Sequence, residues 1–148
     1  MISLATAIKL QRAGLKWAPA LHDFFAIPHR GLDDYIFVIS DMTINVEMWG
    51  NHTVITFDGA SEWAMDYVTT ADVVWLPTEN QLRLAIASRV FGFPEAEVSL
   101  IEKIGQITCE IKYGGKTKSF NASSASEAYA AALLFSLRSE GEESAPDE

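Results

Sequence analysis

The last third of the chain leaves the least freedom to the fold. From Ile107 to Tyr113 the residues alternate, with Ile107, Cys109, Ile111 and Tyr113 on one side and Thr108, Glu110 and Lys112 on the other. That period of two marks a strand with one buried face. Gly114-Gly115 follows, a pair suited to a two-residue hairpin turn because both central residues can take positive φ. Lys116 to Phe120 then returns as the partner strand. Ser124 and Glu127 stand in the spacing of a helix-capping box, and the run from Glu127 to Leu137 (EAYAAALLFSL) is apolar nearly all round. A helix without a polar face must be covered on more than one side. Ala128 and Ala132, one turn apart, permit a close approach to a sheet or to another chain.

The remaining segments extend this pattern. Leu4 to Ala13 reads as a short amphipathic helix ended by Gly14. His22 to Asp34 reads as loop, broken by Pro28 and Gly31. Tyr35 to Ile39 (YIFVI) is continuously apolar and predicts a buried central strand. Thr43 to Trp49 and Thr53 to Phe57 alternate on either side of Gly50-Asn51 and predict a hairpin. Ala60 to Val68 reads as a short helix, with a parallel crossover available between the strands flanking it. Asp72 to Leu76 reads as a strand stopped by Pro77. Thr78 and Gln81 form a second capping box, opening a helix over Glu79 to Val90. Val98 to Lys103 reads as a strand.

Together these predict one α+β domain over residues 1–138, with about four helices packed on a mostly antiparallel sheet of about six or seven strands. Residues 139–148 (SEGEESAPDE) hold five acids and no base, so more than half of the formal net charge of −9 lies in an expected disordered tail. An acidic chain is poorly suited to gripping a phosphate backbone, and nucleic acid is not an expected partner. The single Cys109 cannot form an intramolecular disulfide, and Lys9 and Arg12 interrupt the N-terminal apolar pattern. Neither a signal peptide nor a membrane span is expected, and the expected compartment is the cytoplasm.

The richest group of ionisable side chains is His22, His29, Asp33 and Asp34, with Asp23 and Arg30 among them. Imidazoles and carboxylates of this kind ligate divalent metals or act as general bases. The spacing matches no metal motif, however, and a polar surface loop collects the same residues. Trp49, Trp75, Tyr113 and Tyr129 are candidates for an aromatic ligand pocket between sheet and helices, and Trp49 stands out because it lies at a hairpin end on the polar parity. Ala128, Ala132 and Phe135 are the candidate interface on the apolar helix.

Three tempting motifs carry no chemistry. Cys109 falls on the apolar face of its strand, where a thiol behaves as a small hydrophobe. Gly115-Lys116-Thr117 resembles the end of a phosphate-binding loop, but Glu110 stands where that motif needs a glycine, and a strand rather than a helix follows. Lys112, Lys116 and Lys118, with the helix after them, resemble the last part of a double-stranded-RNA-binding domain. That grip needs bases at the start of the helix, and Ser124-Ala125-Ser126-Glu127-Ala128 has none.

The stretches LATAIKLQRAGLKW, WLPTENQLRLAI and ITCEIKYGGKTKSFNASSASEAYAAALLFSL resemble a loose group of short bacterial and bacteriophage proteins, some labelled as pilus-assembly proteins. The resemblance implies a bacterial or prophage origin and brings no catalytic residues. Without a phosphate-binding loop, no ATPase role follows from it. The leading expectation is therefore a non-enzymatic accessory or interaction protein without a cofactor, with a homodimer or another protein as candidate partner. A small-ligand-binding module is the alternative, and a metal-dependent hydrolase using His22 to Asp34 the second alternative.

Overall fold

A computed structural model describes residues 1–40, 44–57 and 67–143. In chain order its elements are α1 (Leu4–Arg12), β1 (Phe24–Ala26), β2 (Phe37–Val38), β3 (Ile44–Trp49), β4 (His52–Phe57), β5 (Tyr67–Thr69), β6 (Val74–Leu76), α2 (Glu79–Val90), β7 (Glu97–Lys103), β8 (Gln106–Tyr113), β9 (Lys116–Ala122) and α3 (Ala125–Glu143). They gather into two compact units, one of Met1–Leu15 with Pro77–Glu148 and one of Lys16–Leu76.

In the first unit β7, β8 and β9 form an antiparallel meander. Gly114 and Gly115, with φ of +54° and +75°, make the turn between β8 and β9, a conformation that a side chain with a Cβ adopts only at a cost. The predicted alternation on β8 holds, with Cys109 and Ile111 fully buried. The helix α3 packs on β8 and β9, and it also meets α1 and α2. This explains its composition: Ala128, Ala130, Ala132 and Leu133 have no exposed surface, because different sides of the helix face different neighbours. The helix runs to Glu143, well past its expected end near Leu137 and into the segment expected to be tail.

The box predicted for α2 is present in full: the Gln81 backbone N–H donates to Thr78 Oγ1, and the Thr78 backbone N–H donates to Gln81 Oε1 at 2.9 Å. At α3 only half of it forms. The Glu127 backbone N–H donates to Ser124 Oγ at 3.2 Å, while the Glu127 carboxylate accepts from the Ser3 backbone N–H at 2.7 Å and from the Thr6 hydroxyl at 2.8 Å.

The second unit holds two small antiparallel sheets, in the orders β2-β1-β6 and β3-β4-β5. The expected hairpin over Thr43–Phe57 is present as β3 and β4, with Val46 opposite Ile55. Phe25, Ile27, Ile39, Ile55 and Val73 form the core, with Trp17, Leu32 and Phe37 packed against it. Every strand pairing is antiparallel, and the expected single sheet is three sheets among the described residues. The connections explain this. Two-residue turns pair sequence neighbours, and strands of two or three residues offer too few ladder bonds to recruit a further sheet.

Two elements depart from expectation. Within YIFVI only Ile39 is buried, while Tyr35 and Ile36 are 60% and 58% exposed. The segment is an edge, and the central strand is Phe24–Ala26, inside the stretch expected to be loop. Pro28 and the flanking charges hid a strand only three residues long. The helix expected over Ala60–Val68 lies largely outside the described residues. Its last two positions belong to β5, which pairs with β4, so β4 and β6 share no parallel crossover. Three helices are present among the described residues, against the four expected.

Candidate functional site

The register of β8 and β9 sets up a site whose side chains converge on a cavity. Tyr113 pairs with Lys116, Ile111 with Lys118 and Cys109 with Phe120. Directly opposed residues of an antiparallel pair point to the same face. Lys116 and Lys118 therefore share the helix-covered face of the sheet with Tyr113 and Phe120. The opposite face carries polar cross-strand pairs, with Thr108 donating to Asn121 at 2.7 Å and Ser119 donating to Glu110 at 3.2 Å. Lys112 belongs to that outer face.

Beyond the fully buried part of the sheet, this inner face opens into a cavity of about 550 Å³. Arg89 and Val90, in the last turn of α2, line one part of it, and Phe93 follows from the loop after the helix. Tyr113, Gly114, Lys116 and Lys118 contribute from the hairpin, and Phe135, Ser136 and Ser139 from α3. The rings are held by one another: Phe93 and Tyr113 lie 5.4 Å apart at 51°, and Phe135 and Phe120 lie 5.4 Å apart at 48°. Lys118 Nζ stands 5.7 Å from the centre of the Phe135 ring, within cation–π range. Arg89 Nε donates to Ser136 Oγ at 2.9 Å, tying α2 to α3 at the cavity. Among the described residues the lining includes three cations, three aromatic rings and no carboxylate.

The candidates read from the sequence are distributed otherwise. Tyr113 lines the cavity. Tyr129, in the same unit, is buried in the core, where burial raises its phenol pKa. Trp75 belongs to the second unit, where it stacks on Trp17 at 6.2 Å with the ring planes 6° apart. Trp49, also in that unit, is 47% exposed at its hairpin end and donates to Glu47 at 2.9 Å. The four aromatics divide two and two between the units, Tyr113 and Tyr129 in the first and Trp49 and Trp75 in the second.

His22, His29, Asp33 and Asp34 are the metal candidates. Among the described residues no group of three or more His, Cys, Asp or Glu side chains could hold a metal ion. The two histidines sit on either side of β1, both in left-handed turns with φ of 69° and 68°, and the extended strand keeps them apart. Asp33 Oδ1 accepts from the His29 backbone N–H at 3.1 Å and so closes a turn.

Ala128 and Ala132 have no exposed surface. Their small size serves the approach of α3 to its neighbours in the chain. Phe135, half-buried, lies in the cavity wall. Cys109 is fully buried, and burial pushes its thiol up to about 11, so it is no nucleophile at neutral pH.

Arg89 and Phe93 are cavity residues that periodicity does not single out. Lys116, Lys118 and Phe120 do share a strand parity, which is a legible signal. Which face of the strand turns inward is set by α3. A comparison with known proteins found no matching family model, curated protein or solved structure.

Proposed function

We propose that this chain is a non-enzymatic binding protein, and that it takes a small ligand in the cavity bounded by the ends of α2 and α3 and the β8–β9 hairpin. One observation carries the reading: aromatic rings and cationic groups from three separate chain segments converge on one cavity. Its volume falls in the range of roughly 300–1,000 Å³ usual for small-molecule sites. A mixed lining of this kind can hold and orient a molecule. Thermal-shift screening against metabolites is the test, and a ligand raising the melting temperature of the wild type but not of Tyr113→Leu is the expected result. A flat response across the panel counts against the reading.

A second reading, self-association, has its own observation. Among the described residues β3 is the edge of its sheet, and Val46, Met48 and Trp49 on it are 36%, 65% and 47% exposed. An edge strand with exposed apolar side chains is a template for pairing with a second copy. Sedimentation velocity across a concentration series separates a dimer from a monomer.

A further inference from the structure

We infer that the cavity is built for an amphiphilic anion: a flat aromatic ring carrying a carboxylate or phosphate group. This deepens the binding-protein reading and rests on it.

The inference follows from how the lining is divided. Phe93 and Tyr113 form one ring wall and Phe135 another. Lys116 and Lys118 stand on successive inward positions of β9, with the Lys118 ammonium held against the Phe135 ring. A ligand with a ring between the aromatic walls therefore brings a substituent on that ring close to the lysines. Ser136 on α3 accepts from Arg89 and still has its own hydroxyl proton to donate to the same group, whereas the Ser139 hydroxyl already donates to the Phe135 carbonyl at 3.0 Å.

Neither half of such a ligand suffices alone. Both lysines are exposed, and an ion pair with an exposed lysine is worth little in water. An inorganic anion would gain nothing from the rings. An uncharged ring would leave the cations unused, and a cation would be repelled by them. Joining ring and anion lets stacking hold the charge in place, which is how aromatic and basic side chains combine in other sites. A long polyanion is disfavoured by the chain's net charge of −9.

Calorimetric titration of the full chain tests this with phenyl phosphate and indole-3-carboxylate as joined probes, and inorganic phosphate and indole as the separate halves. At least one joined probe should bind tenfold or more tighter than either half. Lys116→Gln/Lys118→Gln should weaken that probe at least tenfold. Lys112→Gln, on the opposite face, should leave it unchanged. Both inward lysines are exposed, so the double variant should fold, and its melting curve checks this. Equal binding of inorganic phosphate and the joined probes overturns the proposal, as does an unchanged double variant. So does a single-stranded oligonucleotide that binds tenfold tighter than every small probe. An uncharged ring that binds best and is lost in Tyr113→Leu overturns the anion assignment but keeps the cavity as a binding site. If no probe binds, the proposal is overturned, and a flat metabolite screen alongside it overturns the cavity reading as well.

Discussion

The carboxylate of Glu127 accepts a hydrogen bond from the backbone N–H of Ser3 at 2.7 Å, across 124 residues of sequence. Its other oxygen takes the Thr6 hydroxyl at 2.8 Å. The first helix begins with unsatisfied backbone N–H groups and a positive dipole end. Ser3 Oγ accepts from the Thr6 backbone N–H at 3.1 Å, and Glu127 supplies the negative charge that the first turn of α1 lacks. One side chain thus joins the start of the first helix to the start of the last.

Glu127→Ala should destabilise the chain by about 1–3 kcal/mol, the usual cost of removing a charged partner from half-buried hydrogen bonds. Ser124→Ala, which removes only the local cap, should cost about 1 kcal/mol. Hydrogen exchange separates the two effects. Faster exchange at Ser3 to Ala7 is expected for the first variant and not for the second.

Asp23 should be a structural anchor in the second unit. It is 4% exposed, and its Oδ2 accepts from Trp17 Nε1 at 2.8 Å and from the Ala20 backbone N–H at 3.1 Å. Asp23→Ala leaves both donors unsatisfied, and a loss of about 2–4 kcal/mol is expected from that mechanism. Urea unfolding followed by tryptophan fluorescence measures it. A loss under about 0.5 kcal/mol, the range of ordinary surface substitutions, would show that the loop does not depend on this carboxylate.

Cys109 should resist a thiol reagent in the native protein at pH 8 and react on unfolding. Burial raises its pKa from the ordinary 9.0 to about 11. Between those values the unfolded chain releases a proton that the native chain keeps, so stability falls as pH rises through the interval. The contribution is whole below about pH 9. Cys109→Ala should lose that part of the alkaline dependence, which thermal melts from pH 8 to 11 would record.

Ala132 has no exposed surface, and Ala132→Leu should overpack the α3 interface by about 1–3 kcal/mol. Its oligomeric state should match the wild type. A dimer lost on this substitution with the melting temperature unchanged would place α3 in an interface instead.

Met48→Lys tests the edge of the β3-β4-β5 sheet. With that side chain 65% exposed, stability should change by less than about 0.5 kcal/mol. Any concentration-dependent association should weaken, because lysine on an edge strand opposes pairing. Sedimentation velocity reads both the wild type and the variant.

What the sequence determined by itself is local. Thr78 and Gln81 place the start of α2, Gly114-Gly115 and Gly50-Asn51 place two hairpins, and the alternation from Ile107 to Tyr113 places Cys109 and Ile111 in the core. Each depends on residues a few positions apart, where backbone geometry leaves one answer. Tertiary structure decided what depends on distant partners. YIFVI reads as buried on both faces, yet β2 has a neighbour on one side only, and the central place in its sheet goes to Phe24–Ala26. Glu127 has the spacing of a local cap, but the Ser3 and Thr6 donors claim its carboxylate. Lys116 and Lys118 resemble part of an RNA grip in the sequence alone, until α3, covering the Cys109 face, makes them part of a cavity lining. The alternation in β9 fixed which residues share a face, and packing alone chose which face turned inward.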